Sequence, residues 1–399
     1  MNGSLKLAAP LLLVVAAAAC NAGGSSSVPA VTGQPTTSTL SIPDWQASHA
    51  ARRACAGSRT GGQMQCDALI LNKRLGPAVP GWTPANLEAA YNLPSSSKGA
   101  GNVVAVVDAF DNPNVASDLA EYRSYFGLPT ATFYKYNQTG QQGSYPKGNQ
   151  GWGVEIDLDV QMVSAACPNC TIYLIEANTN SSRNLYDAEK EAVKLGARVI
   201  TNSWGGGGGG PAHGAFSASA AYLASAGDGG YGMQDPADYK TVISVGGTLL
   251  SQSGSTYSER VWPSSGGGCS VVNKPTWQHD PDCAKKTGND VSAVAMGVAE
   301  YDTYGYSGWF TVGGTSVSSP LIAGVFGLAG NGNKQDGGKN FWKLSKRKLK
   351  KDLHAITTGQ VMGCPPSLSG SYLCVAGTGQ YGQYSGPSGW GTPKGIGAF

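Results

Sequence analysis

Gly313-Gly314-Thr315-Ser316-Val317-Ser318-Ser319-Pro320 runs directly into an apolar stretch, Leu321 to Leu328. A Gly-Gly pair turns the backbone tightly and lets it approach a ligand closely. Leu321-Ile322-Ala323-Gly324-Val325-Phe326 reads as a buried helix, and Pro320 is tolerated only near such a helix start. Thr315 or Ser316 then has two readings. One is an N-cap, the ordinary place for Ser or Thr before an apolar run. The other makes the serine, Ser316, a nucleophile in the positive end of the helix dipole, where a developing alkoxide is favoured. The octet alone favours the cap.

The chain upstream supplies the setting. Thr83-Pro84-Ala85-Asn86-Leu87-Glu88 reads as a capped helix start, and Val103-Val104-Ala105-Val106-Val107-Asp108 as a fully buried strand. Thr171 to Ala177 is a second strand, Leu185 to Leu195 a helix, Arg198 to Thr201 the lead into a third strand, and Thr241 to Val245 another. Short apolar strands alternating with helices predict an α/β fold with a mostly parallel central sheet and helices on both faces. Function in such folds gathers at the carboxyl ends of the strands. Three loops there are unusual: Asn202-Ser203-Trp204 with the glycines 205 to 210, Ser225-Ala226-Gly227-Asp228-Gly229-Gly230, and the Gly313 octet. A glycine run alone is ordinarily a floppy surface loop; all three after buried segments of one sheet favour a cleft.

Between the first two strands, Gly153 to Ala165 reads as a helix carrying Glu155 and Asp159 four residues apart, on one face. A carboxylate pair held close retains one proton between its members, which raises one apparent pKa. The plain alternative is a solvated acidic first turn favoured by the helix dipole. Of the histidines, His49, His213, His279 and His354, none lies in a His-Gly-Thr-His setting, and no serine has glycine at both −2 and +2. If Ser316 is a nucleophile, its base is therefore a carboxylate, a pairing that works best in acid. A histidine enzyme using Asp108 and His213 is the distant alternative.

Ser316 in GGTSVSSP, the helix EIDLDVQMVSA and the loop SAGDGG together resemble the sedolisins, serine-carboxyl peptidases with a subtilisin-like fold. The likeness runs from about Arg53 to Phe399 and includes CPNC at Cys167, TNSWGG at Thr201, SVGGT at Ser244, DVSAVA at Asp290 and YDTYG at Tyr301. It is nearest to secreted bacterial members with a short N-terminal segment. The resemblance implies Ser316 as nucleophile, Glu155 as its base, Asp159 as the residue that holds Glu155, and Asp228 as a neutral acid donating to the oxyanion. It implies Ser203, Trp204 and Gly205 as the edge that pairs with an extended peptide substrate. It also implies a calcium site near the C-terminus, but the two carboxylate positions of that site are Ala355 and Ser385 here, so a tight site is not expected. Residues 219–225 are short for both a helix and a strand, and residues 295–298 lack a loop that lines the cleft in the family.

Composition is compatible with this reading. Charged residues make up 13% of the 399, against roughly 25% in an average globular protein, which suits a protein that must survive acid. A net charge of +3 is too small to argue for nucleic acid. Lys6 and the apolar residues 7–19 form a signal peptide ahead of Cys20, which a bacterial lipoprotein would acylate and plain secretion would discard. The other eight cysteines fall into local couples, 55/66, 167/170, 269/283 and 364/374, as in a disulfide-bonded exported chain. The expected layout is a signal peptide at 1–19, a tether with a short N-terminal arm or propeptide remnant at 20–80, and a peptidase domain at 81–399. The basic stretch from Lys343 to Lys351 reads as a solvated helix face. The expected product is an exported monomeric endopeptidase acting on peptides or proteins, with a catalytically impaired, peptide-binding surface protein as the alternative.

Overall fold

The computed structural model describes residues 51–57, 62–72, 79, 81–378 and 382–399. The signal-peptide stretch and Cys20 lie outside the described residues.

Among the described residues the first elements are three short strands, β1 (Arg52–Arg53), β2 (Gln65–Cys66) and β3 (Leu69–Asn72). Helix α1 (Pro84–Tyr91) starts on Thr83, whose hydroxyl and Asn86 form a reciprocal capping box. The α/β core follows: β4 (Val103–Ala109), α2 (Val115–Tyr125), β5 (Thr132–Asn137), α3 (Gln150–Ala166), β6 (Thr171–Ala177), α4 (Ser182–Lys194) and β7 (Val199–Asn202). Next come β8 (Trp204–Gly205), β9 (Ala221–Ser225), β10 (Val242–Ser253), β11 (Thr256–Val261), β12 (Cys269–Asn273), β13 (Lys285–Thr287) and β14 (Val291–Val294). The strands β15 (Met296–Asp302) and β16 (Gly308–Gly313) lead into α5 (Thr315–Ala329).

The main sheet runs β11-β10-β9-β7-β4-β6-β5, with β14 also on β10. Every pairing in it is parallel except β10 with β11. This is the α/β fold with a mostly parallel sheet expected from the strand pattern, and the subtilisin-like arrangement that the family resemblance implies. Val104 to Val107 are fully buried, as a strand covered on both faces must be.

Two helices carry the site, and both are buried on all sides. In α3 every residue from Trp152 to Ala166 is buried, and in α5 every residue from Thr315 to Leu328. A helix without a solvated face belongs to the interior. This overturns the solvated acidic turn: α3 starts at Gln150 on an Asn149 cap, so Glu155 and Asp159 sit in mid-helix. The cap reading of Thr315 and Ser316 is also corrected. Gly314 is the N-cap, at φ 110°, with no side-chain capping bond, and Pro320 lies inside α5.

The sequence expectation for residues 219–225 holds, since only β9 forms there, with no helix between it and β8. Similarly, Ala295 alone separates β14 from β15. The glycine run is pinned rather than floppy: Gly209 and Gly210 amides donate to the Asp235 carboxylate at 2.9 Å each. The basic stretch lies largely on an exposed helix face, as its pattern indicates. The four cysteine couples are closed as disulfides.

Candidate active site

The middle of α3 and the first turn of α5 bring Glu155 and Ser316 together. Ser316 Oγ donates to Glu155 Oε2 at 2.8 Å and lies 3.2 Å from the carbonyl oxygen of Ser203. Asp159, one turn along α3, acts on Glu155 as a neighbouring negative charge and accepts from Ser203 Oγ at 2.7 Å. Ser316, Glu155 and Asp159 are fully buried. Burial first, then the charges of Asp159, Asp108 and Asp67, raise the Glu155 pKa well above the ordinary carboxylate range. Burial followed by Asp108 does the same to Asp159.

Asp228 approaches from the other side, on the loop after β9. Its Oδ1 accepts from the backbone N–H and the hydroxyl of Thr315, both at 2.9 Å. Its Oδ2 is buried without a hydrogen-bond partner. Burial, then Asp67, pushes the carboxyl up to about 8, against the two hydrogen bonds from Thr315. A neutral Asp228 therefore has a proton on offer at the mouth of α5, beside the Ser316 backbone N–H. Beneath these groups Asp108, at the end of β4, is buried with both oxygens unpartnered and is pushed by burial up to about 8. His213 is exposed beside the Tyr186 ring and is not among the hydrogen-bond partners of Ser316 Oγ.

The segment Ser203 to Gly205 is paired within the chain itself. Gln65 pairs with Gly205 and Cys66 with Trp204 in antiparallel register. The Asp67 N–H donates to the Ser203 carbonyl at 3.1 Å, and the Ala68 N–H to Glu155 Oε2 at 3.0 Å. Residues 64–68 are buried throughout. Trp204 is oriented by its own indole N–H, which donates to the Val107 carbonyl at 2.7 Å.

Comparison with known proteins places this geometry. Residues 147–357, a little over half the chain, match the family described as the subtilase family. The chain belongs to the subtilases. Among the subtilases and related peptidases it resembles are two of sedolisin type. Sedolisin from Pseudomonas sp. (strain 101) is 26% identical over 363 residues, covering 78% of this chain and 60% of that protein. Kumamolisin from Bacillus sp. (strain MN-32) is 27% identical over 291 residues, covering 62% and 52%. The structure of Pseudomonas sedolisin, a serine-carboxyl proteinase complexed with two molecules of pseudo-iodotyrostatin, matches with a TM-score of 0.67 at 25% identity. That match covers 79% of this chain and 96% of the solved one. The chain spans 60% or less of the length of these two curated relatives.

The family's calcium position does not fit here. Ala355 is exposed and offers no side-chain oxygen, and Ser385 Oγ is engaged with Ser388 Oγ at 2.6 Å. Calcium needs several oxygens, with carboxylate charge among them. Elsewhere, Asp118, Asp157 and Asp302 place one oxygen each within 4.8 Å of one another, the one group of metal-ligand type among the described residues. Asp157 Oδ1 and Asp302 Oδ2 have no hydrogen-bond partner. Burial raises all three pKa values, so at acidic pH the trio holds protons.

Sequence reasoning did not find Asp67, Ala68 or Gln234 as neighbours of the site, and it met Asp108 as a site residue only in the histidine alternative. The one sequence hint was the 55/66 cysteine couple, which marks a constrained loop without saying where it lies.

Proposed function

We propose that this subtilase is an exported, sedolisin-type endopeptidase that forms an acyl-enzyme on Ser316 at acidic pH. The observation that carries the reading is the Ser316 Oγ to Glu155 Oε2 hydrogen bond of 2.8 Å, with Asp159 behind it. Glu155 takes the serine proton as the hydroxyl attacks the substrate carbonyl, and passes it to the departing amine. Asp159 holds Glu155 and shares its charge; it is a positioning residue. Asp228, neutral below about pH 8, donates to the oxyanion together with the Ser316 backbone N–H. Ser203, Trp204 and Gly205 pair with the substrate backbone. Export is supported by four disulfides and by the apolar stretch ahead of Cys20, the residue that a lipid anchor would use.

A second reading has an observation of its own. The groove is filled by residues 64–68, as it would be in a surface protein that keeps the fold without turnover. Peptide cleavage between about pH 3 and 8, intact protein against Ser316→Ala, decides between them. Acid-limited cleavage lost in the variant supports the peptidase. Folded protein inert at every pH supports the second reading.

A further inference from the structure

The way the chain fills its own groove singles out one peptide bond. Residues 65–66 pair with β8, whereas residues 69–72 pair with β16, so the strand changes partner at Asp67–Ala68. At that point the groups needed for acyl transfer converge. The Ala68 N–H and the Ser316 hydroxyl both donate to Glu155 Oε2, at 3.0 and 2.8 Å. The two protons that must move, one off the serine and one onto the leaving nitrogen, thus meet at a single oxygen. The Asp67 carbonyl oxygen lies over Gly314. A Cβ at Gly314 would fall 1.8 Å from that oxygen and 3.0 Å from Asp228 Oδ2. Only glycine leaves the carbonyl room to face the Asp228 carboxyl.

The Asp67 side chain enters a built, buried pocket. Its Oδ2 accepts from Ser225 Oγ at 2.7 Å and from Gln234 Nε2, which also donates to the Ser225 carbonyl at 3.1 Å. Asp67 and Ser225 are fully buried and Gln234 is 4% exposed. A Cβ at Gly205 would fall 2.1 Å from the Gln234 carboxamide carbon, and one at Gly227 would fall 2.9 Å from its oxygen. The pocket wall is therefore shaped around Gln234. Two donors aimed at one oxygen on a short arm select aspartate, or its carboxamide, over apolar or basic side chains.

We propose that Asp67–Ala68 is the first bond this chain cleaves, in itself, and that Ser225 and Gln234 make aspartate the preferred residue on the acyl side of the bonds it cuts. The proposal rests on the peptidase reading above. Ser316 Oγ adds to the Asp67 carbonyl carbon and its proton passes to Glu155. Glu155 returns that proton to the Ala68 nitrogen as the C–N bond breaks, leaving Asp67 esterified to Ser316. Water then attacks the ester, Glu155 carries its proton back to Ser316 Oγ, and Asp67 departs with a free carboxyl group. One water is consumed and one amine and one acid are formed. With the acyl fragment gone, the edge Ser203 to Gly205 is open, while β3 keeps its place on β16.

The test uses the purified full chain at pH 4 and pH 7.5, read by intact mass and N-terminal sequencing. The wild type is expected to yield a fragment beginning at Ala68 at pH 4, and Ser316→Ala to stay uncut. Asp67→Asn, which keeps an acceptor oxygen in place, should cleave within a few-fold of wild type, and Asp67→Lys roughly 100-fold more slowly or worse. Matched peptides differing only at the acyl residue should be cut at least ~10-fold faster with Asp than with Leu, a preference that Gln234→Ala should erase. An enzyme that cuts added peptides in acid but leaves Asp67–Ala68 whole, or that prefers Leu to Asp, refutes this proposal and leaves the peptidase reading standing. A folded wild type that cuts neither itself nor any added peptide between pH 3 and 8 overturns both.

Discussion

Replacing Asp108 with Asn should stabilise the protein at neutral pH and leave it unchanged in acid. Asp108 is fully buried, neither of its oxygens has a hydrogen-bond partner, and burial pushes it up to about 8. The unfolded chain gives up this proton near pH 3.9. Between roughly pH 4 and 8 the native state therefore binds a proton that the unfolded state has lost, and stability falls as pH rises through that window. At pH 7 about three pH units of the window have been crossed, at roughly 1.4 kcal/mol each, or about 4 kcal/mol. For a chain of this size that corresponds to about 5 °C in Tm. An asparagine has no proton to hold, so the variant escapes the loss. The assay is thermal melting from pH 3.5 to 7.5 in a Ser316→Ala background, which prevents self-digestion. The variant-minus-parent difference should rise by several degrees across the range. Any constant cost of packing a carboxamide cancels in that difference. A flat difference, or one that becomes more negative with pH, would refute the reasoning.

Glu155→Gln removes the base and should lower kcat roughly 10⁴-fold or more, while Tm at neutral pH rises or holds; equal losses of activity and folding would count against a catalytic role. Asp228→Asn keeps an acceptor for Thr315 and a donor toward the oxyanion, so kcat on a peptide should stay within about tenfold, whereas Asp228→Ala should cost ~10²- to 10³-fold. Equal losses in the two variants would remove Asp228 from the oxyanion. At pH 4 a chelator should leave Tm unmoved, because Ala355 and Ser385 supply no carboxylate; a drop of several degrees there would restore a calcium site.

The sequence disclosed what is local. Buried strands announce themselves as apolar runs such as Val103 to Val107, and the helices alternating with them point to a parallel sheet. The pairing of Glu155 with Asp159 was visible because helical periodicity places them on one face. What stayed hidden depends on contacts between distant parts of the chain. The burial of α3 on every side comes from α5, α2, α1, β4 and β15 packing around it, and no window around residue 155 reports that. The occupied groove was equally invisible: Gln65 and Cys66 carry no strand pattern of their own, and they become a strand because β8 offers unpaired backbone groups. Gln234 stands 167 residues along the chain from Asp67, and only folding makes it the wall beside that side chain.

The strand seated on Ser203 to Gly205 changes what a binding measurement on the intact chain would mean. A ligand tied to its own site by a short stretch of chain acts at a local concentration in the ~millimolar range. Any inhibitor must therefore compete with an opponent that never diffuses away, and its apparent Kd is weakened by the small fraction of molecules whose edge is free. Compounds screened against the uncut chain would look feeble for a reason unrelated to their fit. A mechanism-based probe that esterifies Ser316 would, for the same reason, count open molecules rather than folded ones.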